Sequence, residues 1–389
     1  MPVYVDIKPE MIRWAIQRAQ FDAGAQQSKI VQRALQWENS PTKPTLPQLT
    51  EFAKKAMVPF GYLFLDTPPE EKLPIADFRT FDDKTPPNPS PNLLDTIYDM
   101  MARQYWMREN CLRDDTPPVE FVGSVSKDET VETAAIQVQK NLGLSDDWNQ
   151  DCKTSEDCFR ALRQAADQRG ILVFLNGTAR GNPHRPLDHQ EFRGFVLVDD
   201  YAPLIFINNN DTKTAQLFTL AHELVHLALG ESGLFNLRNL EAGHNRFEIQ
   251  CNKIAAEFLV PSARFSVAWK KHQPENRIDG LARSFGVSPL VIARRAFDLK
   301  FITQDYFFAF YQKYKANWEF LKEKKKAEGR SGGNFYDTTN SRLSRRFSQA
   351  VFEATRCGEL LHRDAYNLMG LNGKTFEKFR KHIQEGKNE

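Results

Sequence analysis

Apolar residues recur at helical spacing over residues 9–37, first as Met11, Ile12, Ala15, Ile16 and Ala19, then as Ile30, Val31, Ala34 and Leu35. Pro41, Pro44 and Pro47 then mark a turn and the first turn of another helix, with Leu46, Leu49, Phe52, Ala53 and Met57 on its inner face. Residues 66–92 are Pro-rich, which excludes a helix and predicts an extended tether. Within it LPIADFRT carries three apolar anchors, Leu73, Ile75 and Phe78, able to pack on another domain. Residues 93–112, 128–142 and Ser155–Gln168 read as helices, the last closed by Gly170.

The period then shortens. GILVFLNG (170–177), FRGFVLVDD (192–200) and PLIFINNN (203–210) read as strands, the last two joined by a short turn around Tyr201. Helical spacing returns at Phe218–Gly230 and over 247–262, which ends at Pro261. Residues 280–299 read as a helix-turn-helix and 304–327 as one long aromatic-rich helix. RSGGN (330–334) reads as a break before a last helical unit, 341–383, with Ala365, Leu368, Leu371, Phe376 and Phe379 as its core. The predicted class is α+β: a small, mostly antiparallel sheet with active-site helices, flanked by all-helical N- and C-terminal domains.

The stretch FTLAHELVHLALG concentrates the chemistry. His222 and His226 are four residues apart, one above the other on a helix face, so two imidazoles can grip one metal ion. Glu223 beside them stays free as a base, and the trio forms the H-E-x-x-H zinc-peptidase signature. Leu220, Leu224, Leu227 and Ala228 supply an apolar stripe, Asp211 or Thr212 the N-cap, and Gly230 the stop. Catalytic zinc takes three protein ligands and a water. Glu231, Glu241, His244, Glu248 and Glu257 all lie close enough downstream to supply the third. In FEIQCNKIAAEFLVPS, Glu248, Asn252, Ala255 and Leu259 share a helix face and Glu257 points nearly opposite.

HELVH followed by a loop and then ExxCN-x-x-AAEFLVP resembles the ImmA/IrrE family of zinc-dependent metallopeptidases. FRGF, P-x-I-x-IN and FTLAHE fit the same resemblance, as does VPFGYLFL…EEKLPIADFRT, which accompanies the peptidase in longer members; together they cover most of 37–300. The resemblance implies a zincin-like core holding one Zn2+ through His222, His226 and Glu248, with Asn252 orienting a histidine ring and Glu223 as the catalytic base. It also implies an edge strand along the cleft that pairs with an extended peptide. The donor to the transition-state oxygen is not identified, and His244 and Tyr201 are the candidates. Residues 37–65 resemble the second half of small repressor domains with a helix-turn-helix. Phe21–Ile30 lacks the Leu-Ala-x-x-x-Gly-Val core and basic residues are sparse, so the N-terminal domain is a degenerate version.

Composition narrows the setting. The chain has 389 residues, 41% hydrophobic and 26% charged, with a net charge of +2. No apolar run approaches the roughly 20 residues of a membrane span, and MPVYVDIKPEMIRW lacks the form of a secretory signal. Five scattered cysteines, Cys111, Cys152, Cys158, Cys251 and Cys357, form no C-x-x-C pair, which points to a reducing, cytoplasmic setting. From Lys300 onward 18 Lys and Arg face 11 Asp and Glu, an excess of seven, so this end suits DNA or an acidic protein. The expected domains are 1–65 (helical), 66–92 (connector), 93–300 (peptidase) and 301–389 (basic, helical). Two functions follow. One is a site-specific zinc endopeptidase cleaving a transcriptional repressor or similar regulatory protein in a stress or mobile-element response. The other is an antitoxin-like binding protein of a toxin–antitoxin module, holding a toxin encoded nearby, or DNA, through its helical domains. HELVH together with Glu248 favours the first, because a scaffold has no chemical need of all four groups.

Overall fold

The computed structural model describes residues 3–19, 21, 26–39, 42–76, 88–150, 152, 154–235, 246–273, 276–327 and 342–385. The chain divides into two compact units, Met1–Pro74 with Pro86–Tyr98, and Ile75–Thr85 with Asp99–Glu389.

In the first unit the apolar spacing yields α1 (Pro9–Ala19), α2 (Lys29–Asn39) and α3 (Leu46–Lys55), followed by a tight helical turn at Phe60–Phe64. The inward stripes meet in one core in which Ile12, Ala15, Val31, Ala34, Leu49, Phe52 and Leu63 are buried and Trp37 meets Phe52 edge-on. Thr45 caps α3, with the Gln48 side chain accepting from the Thr45 N–H at 2.9 Å, and Pro47 sits in the first turn, where its missing N–H costs nothing.

The second unit holds the sheet. α4 (Pro91–Arg113) belongs to the first unit up to Tyr98 and to the second from Asp99, and α5 (Val131–Asn141) and α6 (Ser155–Gln168) follow before the sheet. The strands are β1 (Leu172–Asn176), β2 (Gly194–Leu197), β3 (Leu204–Asn208) and β4 (Gly233–Phe235), in the order β1-β3-β2-β4. The sheet is mixed, and with two of its three pairings antiparallel it keeps to the mostly antiparallel expectation. β2 runs antiparallel to β3 and β4, but β1 pairs with β3 in parallel, from Leu172↔Leu204 to Asn176↔Asn208. The physical reason lies in LVFL, a continuous apolar run of the kind a strand covered on both faces carries. Val173 and Leu175 join the main core on one face; on the other, Phe174 packs edge-on against Phe347 at 5.4 Å.

After the sheet come α7 (Lys213–Leu229), which precedes β4, then α8 (Arg246–Leu259), α9 (Ser262–Lys271), α10 (Arg277–Phe285), α11 (Pro289–Asp298) and α12 (Gln304–Ala327). The helix-turn-helix α10–α11 turns at Gly286, whose φ of +66° suits glycine, and an added Cβ there would collide with Cys158 Sγ. Its apolar face, Leu281, Phe285, Ile292 and Ala296, belongs to the main core.

The C-terminal helices α13 (Arg345–Arg356), α14 (His362–Met369) and α15 (Gly373–Glu385) lie in this same unit, so the boundary expected at residue 301 is not a boundary between compact units. Phe347 packs between Phe174 and Trp106, Arg163 donates to the Leu343 carbonyl at 2.7 Å, and Arg346 donates to the Gly170 carbonyl at 2.5 Å. RSGGN (330–334) and Phe78 lie outside the described residues. Among the described residues no helix is long and apolar enough to cross a membrane.

One buried ion pair fastens the far end of α8. Glu257 pairs with Arg295 of α11 and accepts from the Ser262 backbone N–H at 2.9 Å, while Arg295 also donates to the Val260 carbonyl at 3.0 Å. Glu257→Ala leaves the Arg295 charge buried without its counter-ion. It is expected to lower unfolding stability by about 3–5 kcal/mol, measured by urea denaturation.

Candidate active site

Every residue of α7 from Gln216 to Leu229 is buried. A helix buried all round belongs to a core and is ordinarily apolar on every face, so His222, Glu223 and His226 within it stand out. Both ends are finished locally. The Thr212 hydroxyl accepts from Ala215 N–H at 3.2 Å, and Gly230 closes the C-terminus at φ +75°. The segment Val119–Val125 completes that end, Gly123 N–H donating to Leu227 O at 3.0 Å and Val125 N–H to Ala228 O at 2.9 Å.

α8 packs along α7 and brings Glu248, in its first turn, onto the two histidines. His222 Nε2 and His226 Nε2 lie 2.9 Å apart. Glu248 Oε2 is 3.3 Å from His222 Nε2, and Oε1 is 3.2 Å from His226 Nε2. Among the described residues this is the one cluster of three or more metal-ligating side chains, and all three members are buried. Ligands about 2.1 Å from a tetrahedral zinc-sized cation lie about 3.4 Å apart. The three separations of 2.9, 3.2 and 3.3 Å, the last two ending on different Glu248 oxygens, are close to that spacing, so these residues fit a metal.

Burial, the largest influence, and the neighbouring His226 lower the His222 pKa, Glu248 and the Asn252 side chain act the other way, and the net result is about 4. The imidazole is therefore neutral at pH 7, the form that ligates a metal. Burial pushes Glu248 up, but its contacts with the His222 and His226 rings outweigh this and hold it at about 2. Burial, and then the charge of Glu248, raises Glu223 well above the ordinary carboxylate range. Both Glu223 carboxylate oxygens are buried without a hydrogen-bond partner among the described residues. A carboxylate left in that condition inside a protein calls for an explanation, and a cation and its water beside it would supply one.

The sheet approaches Glu223 through Gly194. A Cβ added there would lie 2.8 Å from Thr219 Cγ2, 2.9 Å from Phe206 O and 3.0 Å from Glu223 Oε1, so glycine is what lets β2 close onto this face of α7. Phe247 sets its ring edge-on to His226 at 5.4 Å, and Lys127, paired with Glu231, lies 5.6 Å from the Phe247 ring centroid.

The structure thus gathers His222, Glu223, His226, Glu248 and Asn252. It does not gather Tyr201. That residue lies in the turn beyond Leu197↔Leu204, the end of the β2–β3 hairpin away from Gly194↔Ile207, so its place as a transition-state donor is withdrawn. His244 and Glu241 lie outside the described residues. Glu257 is engaged with Arg295 and Glu231 with Lys127. Sequence reasoning passed over Gly194, Phe247 and the Val119–Val125 segment. Only Gly194 left a signal, as a glycine interrupting an apolar strand.

Residues 166–297 match the family model described as Peptidase_M78, IrrE N-terminal-like domain, a span that contains the four strands and all five gathered residues. That similarity supports a protease of the IrrE/ImmA type. Residues 343–382, in α13–α15, match a domain of unknown function, DUF8813. No curated protein and no solved structure matches the chain.

Two substitutions test the site. His222→Ala is expected to abolish stoichiometric metal binding, read by plasma emission on the purified protein; unchanged metal content would remove His222 from the ligand set. Gly194→Ala is expected to cost about 1–3 kcal/mol of stability by overpacking, seen as a lowered urea midpoint.

Proposed function

We propose that the chain is a zinc-dependent endopeptidase that cleaves one chosen regulatory protein, such as a transcriptional repressor. The observation that carries this reading is the convergence of His222, His226 and Glu248, with ligand atoms within 4.8 Å of one another, beside a buried Glu223 whose carboxylate has no hydrogen-bond partner among the described residues. The match over 166–297 supports it.

Zinc, when bound, supplies a Lewis acid that polarises the scissile carbonyl and acidifies water. His222, His226 and Glu248 would hold it, and Asn252, one turn beyond Glu248, orients the His222 ring. Glu223 takes the proton of the attacking water and passes it to the leaving amide nitrogen. The close approach of Gly194 to Glu223, which is fully buried, restricts its carboxylate and keeps bulk water away from it.

The choice of a regulatory protein rests on the chain around the site. The long helical regions on both sides of the peptidase-type domain serve recognition better than digestion. The burial of Val291, Ile292, Ala293, Arg295 and Ala296 in α11 weighs against that helix reading DNA, because a recognition helix must present its side chains outward.

Glu223→Gln is expected to retain metal and to cleave a co-expressed neighbour-encoded protein about 10²–10⁴-fold more slowly than the wild type, followed by mass spectrometry of the fragments. Normal cleavage by this variant would sink the peptidase mechanism. A stable complex with that neighbour, uncut by the wild type, would favour the antitoxin-like binding reading.

A further inference from the structure

β4 stands at an edge of the sheet and lies in the chain between α7, which carries His222, Glu223 and His226, and α8, which carries Glu248. It pairs with β2 through Gly194↔Phe235, Phe195↔Leu234 and Val196↔Gly233. In an antiparallel pair, successive residues turn their N–H and C=O alternately toward the partner strand and away from it. Leu234 is turned away: its N–H donates outward, at 2.9 Å, to the carbonyl oxygen of Ala76. Ala76 belongs to the Pro-rich connector, some 158 residues earlier in the chain. Ile75 and Ala76 group with the sheet-bearing unit, whereas the chain through Pro74 belongs to the first unit. The chain bends at Pro74–Ile75 and reaches β4 directly after the bend.

An exposed strand edge is a template for any extended chain, because its free N–H and C=O groups recognise backbone rather than side chains. Extended peptides are bound in this way by strand addition. The edge here lies close to the chemistry. Phe235 is paired with Gly194, and Gly194 abuts Glu223.

We propose that the outer edge of β4 is the peptide-docking strand of the Glu223 site and that the chain's own connector, at Ala76, occupies it in cis. The proposal rests on the peptidase reading and adds to it both the surface that receives the substrate and the segment that holds this surface at rest. A substrate enters as an extended segment and displaces Ala76 from Leu234. The occupant is tethered, so it competes at a high effective concentration, and substrate segments that bind weakly are excluded. Release of the connector is then the step at which activity can be controlled.

The test replaces Leu73–Ala76 by Gly-Ser-Gly-Ser in the full chain carrying Glu223→Gln. Two quantities are read: hydrogen exchange of the Leu234 amide, and binding of a fluorescein-labelled peptide with the sequence of residues 68–76, PPEEKLPIA, by anisotropy. Leu234 exchange is expected to accelerate at least tenfold and the peptide to bind at least tenfold more tightly than to the chain with its native connector. Amides of the β1–β3 pair serve as the control for folding. Should the replacement unfold the sheet, Ile75→Gly carries the same two readouts. Unchanged Leu234 exchange, or equal peptide affinity in both chains, overturns the proposal. Neither readout requires hydrolysis, so this failure is distinct from failure of the peptidase reading, which the cleavage comparison with Glu223→Gln decides.

Discussion

Two imidazoles and two carboxylates buried at one point between α7 and α8 are the constraint on which the rest of the second unit depends. Removing a carboxylate from water costs several kcal/mol unless charge and hydrogen bonds replace the solvent. Glu248 recovers part of that cost from His222 and His226. Glu223 has no such partner among the described residues, and Glu248 raises its pKa further. Such an arrangement is held only by a surrounding structure that would lose more by relaxing than the buried groups would gain. The apolar remainder of α7, buried from Gln216 to Leu229, supplies that restraint.

The bracing can be followed outward. Thr212 and Gly230 finish the two ends of α7, and the backbone of Gly123 and Val125 binds the carbonyls of its last turn. β2 closes on Glu223 because position 194 has no side chain. The end of α8 is tied through Glu257 and Arg295 to α11, so the helix-turn-helix at 277–298 acts as a buttress for the helix that carries Glu248. A buried ion pair is weak as a source of stability but strict about geometry, and geometry is what a three-ligand site demands.

How much of this was legible in the sequence depended on how far apart the cooperating residues lie. α7, its Thr212 cap and its Gly230 stop are set by residues within one or two turns, and the sequence reads them correctly. The two histidines also meet by local geometry, since four residues make one helical turn. Glu248 has no local signal, and it was the family resemblance, not spacing, that separated it from Glu231, Glu241 and Glu257. The parallel pairing of β1 was hidden because LVFL is equally apolar on both faces, and one of those faces is covered by Phe347, from the far end of the chain. Tyr201 was misplaced for a related reason: adjacency to two strands does not say which end of their hairpin faces the helix.

The basic C-terminal region shows how charge counts mislead when burial is unknown. The excess of Lys and Arg after residue 300 invites a reading as a nucleic-acid surface. Arg346, one of those cations, is directed inward to the Gly170 carbonyl, and its backbone N–H is held by Asp167 at 3.2 Å. Arg163 of α6 reaches in the opposite direction, to the Leu343 carbonyl. These bonds join the start of α13 to the turn that feeds β1, while Phe347 seals the outer face of Phe174. The matched segment at 343–382 therefore begins as a structural part of the second unit. Two routes lead from this anchor to the site: the strands, from β1 by β3 to β2, and α6, which holds Arg346 through Asp167 and packs directly on α7.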